Sequence, residues 1–122
     1  MYLSIIASIF GILFILAGIA GFIPDLRWNV DLLFGIFYVD TIHNIANFIV
    51  GFIAIVSALK YKTDRLFFRV FGVLFAVLAI LGLVWQGNLF LTHSNMADTY
   101  LHACIAVIFL ILGFSAGKEG SV

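Results

Sequence analysis

Charged residues divide the chain into long apolar stretches. Residues 1–24, 41–59, 70–97 and 99–117 contain no Asp, Glu, Lys or Arg. A helix needs about 20 apolar residues to cross a hydrocarbon core of about 30 Å. At a rise of about 1.5 Å per residue, even the shorter stretches reach about 28 Å. The pattern predicts four transmembrane helices, near 3–23, 41–59, 67–86 and 97–117. Helices satisfy their own backbone hydrogen bonds in lipid. The strands of a transmembrane barrel would alternate in polarity, and these stretches do not. The first stretch is read as a helix and not as a signal peptide. It has no basic start, and Gly21-Phe22-Ile23-Pro24 is not a small-x-small cleavage site. Between the first two helices, Val30 to Val39 is largely apolar, with Trp28 and Tyr38 near its ends. It is read as a short helix in the interface plane, with a loop tucked against the bundle as the alternative.

Composition supports this division. The 122 residues are 65% hydrophobic and 10% charged, against about 45–50% and about 25% in an ordinary soluble domain. A water-soluble fold this small could not bury so much apolar surface, and a disordered chain would be polar and charged. Fourteen Phe against one Pro fit long uninterrupted elements. The expected fold class is all-α, a single transmembrane domain over 1–122. Net charge is zero, from six basic and six acidic residues. No basic patch is available for a phosphate backbone, which excludes nucleic acid as a partner. A lone Cys104 excludes an internal disulfide and a C-x-x-C centre.

The basic residues set the expected orientation. Lys60, Lys62, Arg65 and Arg69 surround the short turn at 60–66, and Lys118 follows the fourth helix. Arg27 stands alone at the other end, beside Asp25, Asp31, Asp40 and Asp98. Both termini and the middle turn are expected in the cytoplasm, with 24–40 and 87–96 outside. The expected location is the bacterial cytoplasmic membrane.

The chain also repeats itself. Phe10-Gly11-Ile12-Leu13-Phe14 matches Phe71-Gly72-Val73-Leu74-Phe75, and the register runs on to Ile19/Ile80 and Gly21/Gly82. Asp40-Thr41-Ile42-His43 then corresponds to Asp98-Thr99-Tyr100-Leu101-His102 with one residue slipped. Repeat one covers 1–59 and repeat two 67–117. Each holds two spans, so the repeats are expected to be parallel, related by an axis along the membrane normal. Small residues such as Gly11, Gly18, Gly51, Gly72, Gly82 and Gly113 mark where helices can approach closely. Packing within one bundle is the first reading and a dimerisation face the second.

Candidate chemistry gathers at the outer ends. Asp40, His43, Asn44 and Asn47 share one helical face, and Asn95, Asp98 and His102 repeat the spacing. By the repeat, His43 and His102 are expected at similar depth, facing each other, because polar groups in lipid are costly. Three readings remain open. The first is structural: hydrogen bonds across helices, with Asp40 and Asp98 favoured near helix N-termini. The second is a divalent metal or proton site on His43, His102, Asp40 and Asp98, with His93 as a further nitrogen. The third is a cofactor, with His43 and His102 as axial ligands of haem or contacts to a quinone. Elsewhere, Trp28 and Trp85 read as interface anchors, and Cys104 as a buried thiol. Ser4 and Ser57 read as bonded to their own helices, and Asp64-Arg65 as solvated. No H-E-x-x-H, P-loop, Gly-x-Gly-x-x-Gly or serine–histidine–acid order occurs.

These residues resemble a bacterial family of small four-helix membrane proteins classed as a domain of unknown function. Its signature is an Asn-x-x-His-Asn-x-x-His-x-x-x-Gly run opening helix two and an Asn-x-x-Asp-Asn-x-Leu-His run opening helix four. His43-Asn44 and Gly51 match the first run. Asn95, Asp98, Leu101 and His102 match the second, and Arg69-Val70-Phe71-Gly72 resembles the opening of the third helix. Asp40 stands for the leading Asn, Asn47 for the second His and Thr99 for an Asn. The resemblance implies a fold and a bacterial membrane, and no established activity.

The expected function is non-enzymatic: a small bundle stabilised by its outer polar cluster, which binds an ion, ligand or partner. No cofactor is expected on this reading. The alternatives are a metal- or haem-binding membrane protein centred on His43 and His102, and an accessory subunit of a larger membrane complex. The expected partners are the lipid bilayer and a second copy or such a complex.

Overall fold

The computed structural model describes residues 2–27, 32–60, 62–86, 89, 92 and 94–115. They form four helices: α1 (Tyr2–Phe22), α2 (Thr41–Ser57), α3 (Thr63–Val84) and α4 (Met96–Ser115). α1, α3 and α4 are long and apolar enough to cross a membrane, and α2 is a shorter apolar helix of 17 residues. Trp28, Asp31, His93, Gly117 and Lys118 lie outside the described residues.

Local chemistry sets the helix ends. α1 stops ahead of Pro24, which disfavours helical backbone in the residue before it. Asp40 caps α2, its Oδ1 accepting the N–H of His43 at 2.8 Å. α2 closes on Ser57, whose hydroxyl donates to the Ala54 carbonyl at 2.7 Å. Lys62, at φ 65°, then turns the chain. Thr63 Oγ1 ties that turn to the carbonyls of Lys60 and Ser57.

Two expectations are corrected at this turn. The third helix begins at Thr63, four residues before the expected start, because a helix can extend past the lipid-facing part of its sequence. Asp64 is not solvated: it is 0% exposed in the first turn of α3, and its Oδ1 accepts the Arg65 N–H at 2.7 Å.

The link between α1 and α2 is not an interface helix either. A 3₁₀ turn over Pro24–Leu26 leads to an antiparallel hairpin of β1 (Leu32–Leu33) and β2 (Phe37–Tyr38), the one departure from an all-α fold among the described residues. Phe34 and Gly35 have φ of 54° and 74°, and the Ile36 N–H bonds back to the Leu33 carbonyl at 3.0 Å. Positive φ at both central positions reverses the chain as in a type I′ turn, which right-handed helix excludes. Gly35 adopts it freely. Phe34 does so against its steric preference, held by its own N–H on the Leu26 carbonyl at 2.8 Å.

α1 runs antiparallel along α2, and α3 antiparallel along α4. In the first pair, Gly11 lies against Gly51 and Ile55, and Gly18 and Gly21 against Asn44. In the second, Gly72 lies against Leu110, Gly82 against Thr99 and Gly113 against Arg69. The pairs are joined through an aromatic core. Phe109, fully buried, meets Phe10, Phe68, Phe67 and Phe75 at centroid distances of 4.9, 5.0, 5.6 and 5.9 Å, and Phe14 stacks on Phe75 at 5.6 Å. Such ring pairs add about 0.5–1.5 kcal/mol each beyond their buried area.

The outer faces carry exposed Ile, Leu, Val and Phe on all four helices. In water that surface would be a large aggregation-prone patch, and it is of the kind that lipid solvates. Cys104 belongs to this outward surface, exposed and not buried as the sequence suggests. A thiol behaves as a small apolar group, in keeping with its apolar neighbours on that surface.

Candidate functional site

The N-termini of α2 and α4 and the β hairpin meet at one end of the bundle. Asp40 begins α2: its side chain takes the His43 N–H and its carbonyl the Asn44 N–H. Asn95 begins α4 in the same manner. Its Oδ1 takes the Asp98 N–H at 2.8 Å, its carbonyl takes the Thr99 N–H, and Asp98 Oδ2 returns to the Asn95 N–H at 3.1 Å. This reciprocal pair is a capping box.

The caps correct the expected correspondence. Asp40 occupies the place of Asn95, not of Asp98. Counting from the caps, His43 matches Asp98, Asn44 matches Thr99 and Asn47 matches His102. The helix contacts agree, since Gly21 meets Asn44 where Gly82 meets Thr99, and Gly11 meets Ile55 where Gly72 meets Leu110. His102 therefore stands one helical turn further from its cap than His43 does. The Asp-Thr string recurs in both halves, but cap geometry fixes where each helix starts.

Each polar residue has its own setting. Asp40 Oδ2 accepts the hydroxyl of Thr92 at 2.8 Å, and Thr92 Oγ1 lies 2.8 Å from His43 Nδ1. The carboxylate can only accept, so it takes the single Thr92 proton, and His43 Nδ1–H donates to the Thr92 oxygen. That tautomer leaves His43 Nε2 a bare acceptor. Thr92 is a member of this network that the sequence reading missed; a loop threonine carries no signal for it.

Asn44 turns toward α1 and not toward the other polar residues. It is 2% exposed, against Gly21, and its Oδ1 has no hydrogen-bond partner. Asp98 is 4% exposed and also receives the backbone N–H of Tyr38. Asn95 Nδ2 donates to the Ile36 carbonyl at 2.7 Å. These two bonds fasten the hairpin to the start of α4. His102 is packed on the Phe75 ring at 5.5 Å, and its buried Nδ1 has no partner.

Between these elements lies a cavity of about 350 Å³. Its polar lining is His43, Asn47, Asp98 and His102; Phe14, Phe75 and Ile105 line its apolar depth, and Leu33, Phe37 and Tyr38 of the hairpin cover it. The volume is within the range of small-molecule sites, about 300–1,000 Å³. A second cavity of about 190 Å³ lies on the α2–α3 side, and His43, Asn47, His102 and Phe75 line both. Those four side chains form a partition between the two spaces.

The expected ligating residues are thus divided. His43, Asp98 and His102 share the larger cavity, while Asp40 stands behind His43, with Oδ1 3.7 Å from Nδ1. Among the described residues, no three His, Cys, Asp or Glu side chains group closely enough to hold a metal ion. Asn44 and Asn95 serve packing and capping, and Asn47 faces the cavity.

The other end of the bundle has a different fastening. Arg69 Nε donates to the Gly113 carbonyl at 2.7 Å, and the guanidinium lies 4.8 Å from the centre of the Phe114 ring. The sequence marks Arg69 as a basic residue beside a turn and as part of the run resembling the family's third-helix opening; in the structure it also satisfies a carbonyl in the last turn of α4.

Fold and site define a small bundle of apolar helices, three of them able to cross a membrane, with a polar-lined cavity at one end. Over residues 4–115 the chain matches the family described as Domain of unknown function (DUF4383), and it belongs to that family. No curated protein and no solved structure matches it.

Proposed function

We propose that this chain is an integral membrane protein of the cytoplasmic membrane that holds a small ligand in its outer-end cavity and performs no catalysis. One observation carries the reading: His43, Asn47, Asp98 and His102, from two helices, line a single space closed by a hairpin. Polar groups inside a membrane bundle are a functional indication by default. The described lining has no Ser, Thr, Cys or Lys, and its Asp98 already accepts two backbone N–H groups. The metal reading on His43, His102, Asp40 and Asp98 is less favoured, because Asp40 stands behind His43, occupied by Thr92 and the α2 cap.

In this reading all four helices cross the bilayer. α2 lies along α1, and its 17 residues meet the lower limit for a span, about 17. The two antiparallel pairs form a parallel repeat whose register follows the caps. The end that carries Lys60, Lys62, Arg65 and Arg69 faces the cytoplasm in this reading, together with both termini, which the excess of basic residues there supports.

Two measurements test this. Native mass spectrometry of protein released from lipid nanodiscs should show a noncovalent small-molecule adduct. Ala20→Trp, which fills the cavity, should lose it. Identical adduct patterns in the two proteins would overturn the ligand reading. A C-terminal green fluorescent protein fusion should fluoresce and an alkaline phosphatase fusion should be inactive; the reverse would overturn the orientation.

A further inference from the structure

The mouth of the cavity indicates where its occupant comes from. Leu16 of α1, Phe34 of the hairpin and Leu101 of α4 all line the cavity, and they are 54%, 42% and 42% exposed. The gap between α1 and α4 is thus framed by apolar side chains. It is continuous with the apolar outer faces formed by Ile12, Leu13 and Ile19 on one side and Ile108 on the other. An occupant passing this mouth comes from the hydrocarbon phase and leaves an apolar tail in it.

The lining indicates the head group. No Lys or Arg is among the described residues lining the cavity, so an anionic head would have no counter-charge there. Asp98, the one acid, is 4% exposed and already accepts two backbone N–H groups, so it presents little to a cationic head. What remains, on His43, Asn47, His102 and Tyr38, is of both polarities, and His43 and Asn47 lie one helical turn apart on α2. His43 Nε2 is an acceptor, by the tautomer that Asp40 and Thr92 impose. The Asn47 amide, which makes no hydrogen bond with any described residue, supplies N–H donors and a carbonyl. A hydroxyl satisfies both kinds at once, donating to His43 Nε2 and accepting from Asn47. An ether or ester oxygen can only accept.

We propose that the cavity binds an uncharged, hydroxyl-headed membrane amphiphile, admitted from the bilayer between α1 and α4 with its hydroxyl held by His43 and Asn47. The inference rests on the ligand-cavity reading above and adds the ligand class and its route.

The test is photolabelling of the full chain in phosphatidylcholine nanodiscs, with labelled positions read by peptide mapping. The probe is hexadecanol with a diazirine in its tail. Three probes with the same tail carry a methyl ether, a carboxylate or a trimethylammonium head. The alcohol is expected to label residues 98–105 and 14–20 at least about fivefold more than the methyl ether does, the equivalent of one hydrogen bond. Asn47→Leu should reduce alcohol labelling by about the same factor, and Leu16→Trp should block it at the mouth. Val73→Trp, on the exposed face of α3 and outside both cavity linings, should leave it unchanged. Equal labelling by alcohol and ether, or preferred labelling by the carboxylate or ammonium probe, would overturn the hydroxyl assignment. If Leu16→Trp still blocked that labelling, the cavity reading would survive. Labelling of the cavity positions no stronger than that of outward-facing positions, for all four probes, would overturn both.

Discussion

The two helix pairs close on glycine against different partners. In α1–α2, backbone meets backbone: a Cβ on Gly51 would stand 2.6 Å from the Gly11 carbonyl oxygen, and one on Gly11 would stand 2.8 Å from that of Gly51. In α3–α4, a Cβ on Gly72 meets first the side chain of Leu110, at 2.9 Å. Leu110 can rotate and a carbonyl in a helix cannot. Lipid supplies no hydrophobic drive between helices, so close packing has to hold each pair. At Gly51 the first pair therefore meets a fixed backbone oxygen, and at Gly72 the second meets a side chain that can turn.

The largest effect should come from adding a methyl group to each seam. Gly51→Ala is expected to cost about 3 kcal/mol and Gly72→Ala about 1 kcal/mol, the two ends of the overpacking range. Denaturant unfolding in detergent micelles would measure both, and equal losses would erase the distinction. Next come the polar seats. Gly21→Ala forces a Cβ into the amide of buried Asn44, while Gly82→Ala meets only the smaller Thr99 hydroxyl, at 2.5 Å. We expect losses of about 2 and 1 kcal/mol. Asn44→Ala, added to Gly21→Ala, should recover about 1 kcal/mol through coupling of neighbours. No recovery would mean that the clash lies elsewhere.

The histidines extend the contrast to the cavity. His43 is held by Thr92, while the buried Nδ1 of His102 has no partner among the described residues. His43→Phe is expected to lose about 1–2 kcal/mol, and His102→Phe to stay within about 0.5 kcal/mol of the parent, because it removes an unsatisfied polar atom. Matching losses would restore the symmetric roles that the sequence suggests. The smallest effect belongs to the hairpin. Phe34→Gly relieves a positive φ and should raise stability by about 0.5 kcal/mol, read as a higher unfolding midpoint.

The helices were legible in the sequence because lipid excludes charge, and four stretches without charge leave few alternatives. Asp40 and Asn95 were legible as a polar face, but the caps needed hydrogen-bond geometry: Asp98-Thr99 copies Asp40-Thr41 more closely than Asn95 copies Asp40, yet helices start at 41 and 96. The hairpin was not legible. Its strands are two residues each, too short to show alternation, and its apolar composition equally suits an interface helix. Gly35 was the one signal present. Burial of Asp64 and exposure of Cys104 depend on which side of a helix meets its neighbour, and α1 and α4 are apolar nearly all round. The cavity draws its walls from four helices and a hairpin, and no local pattern encodes that meeting.

The bond from Asn95 to the Ile36 carbonyl joins residues 59 positions apart, and this separation has a consequence for biogenesis. When the ribosome has delivered the 32–38 segment, its two fastenings on α4 have not been made. At about 5–20 residues per second the wait is about 3–12 s, during which α1 and α2 can already pair. The roof of the cavity is thus fastened only once Asn95 has been made, and a nascent chain stalled before it would lack that bond.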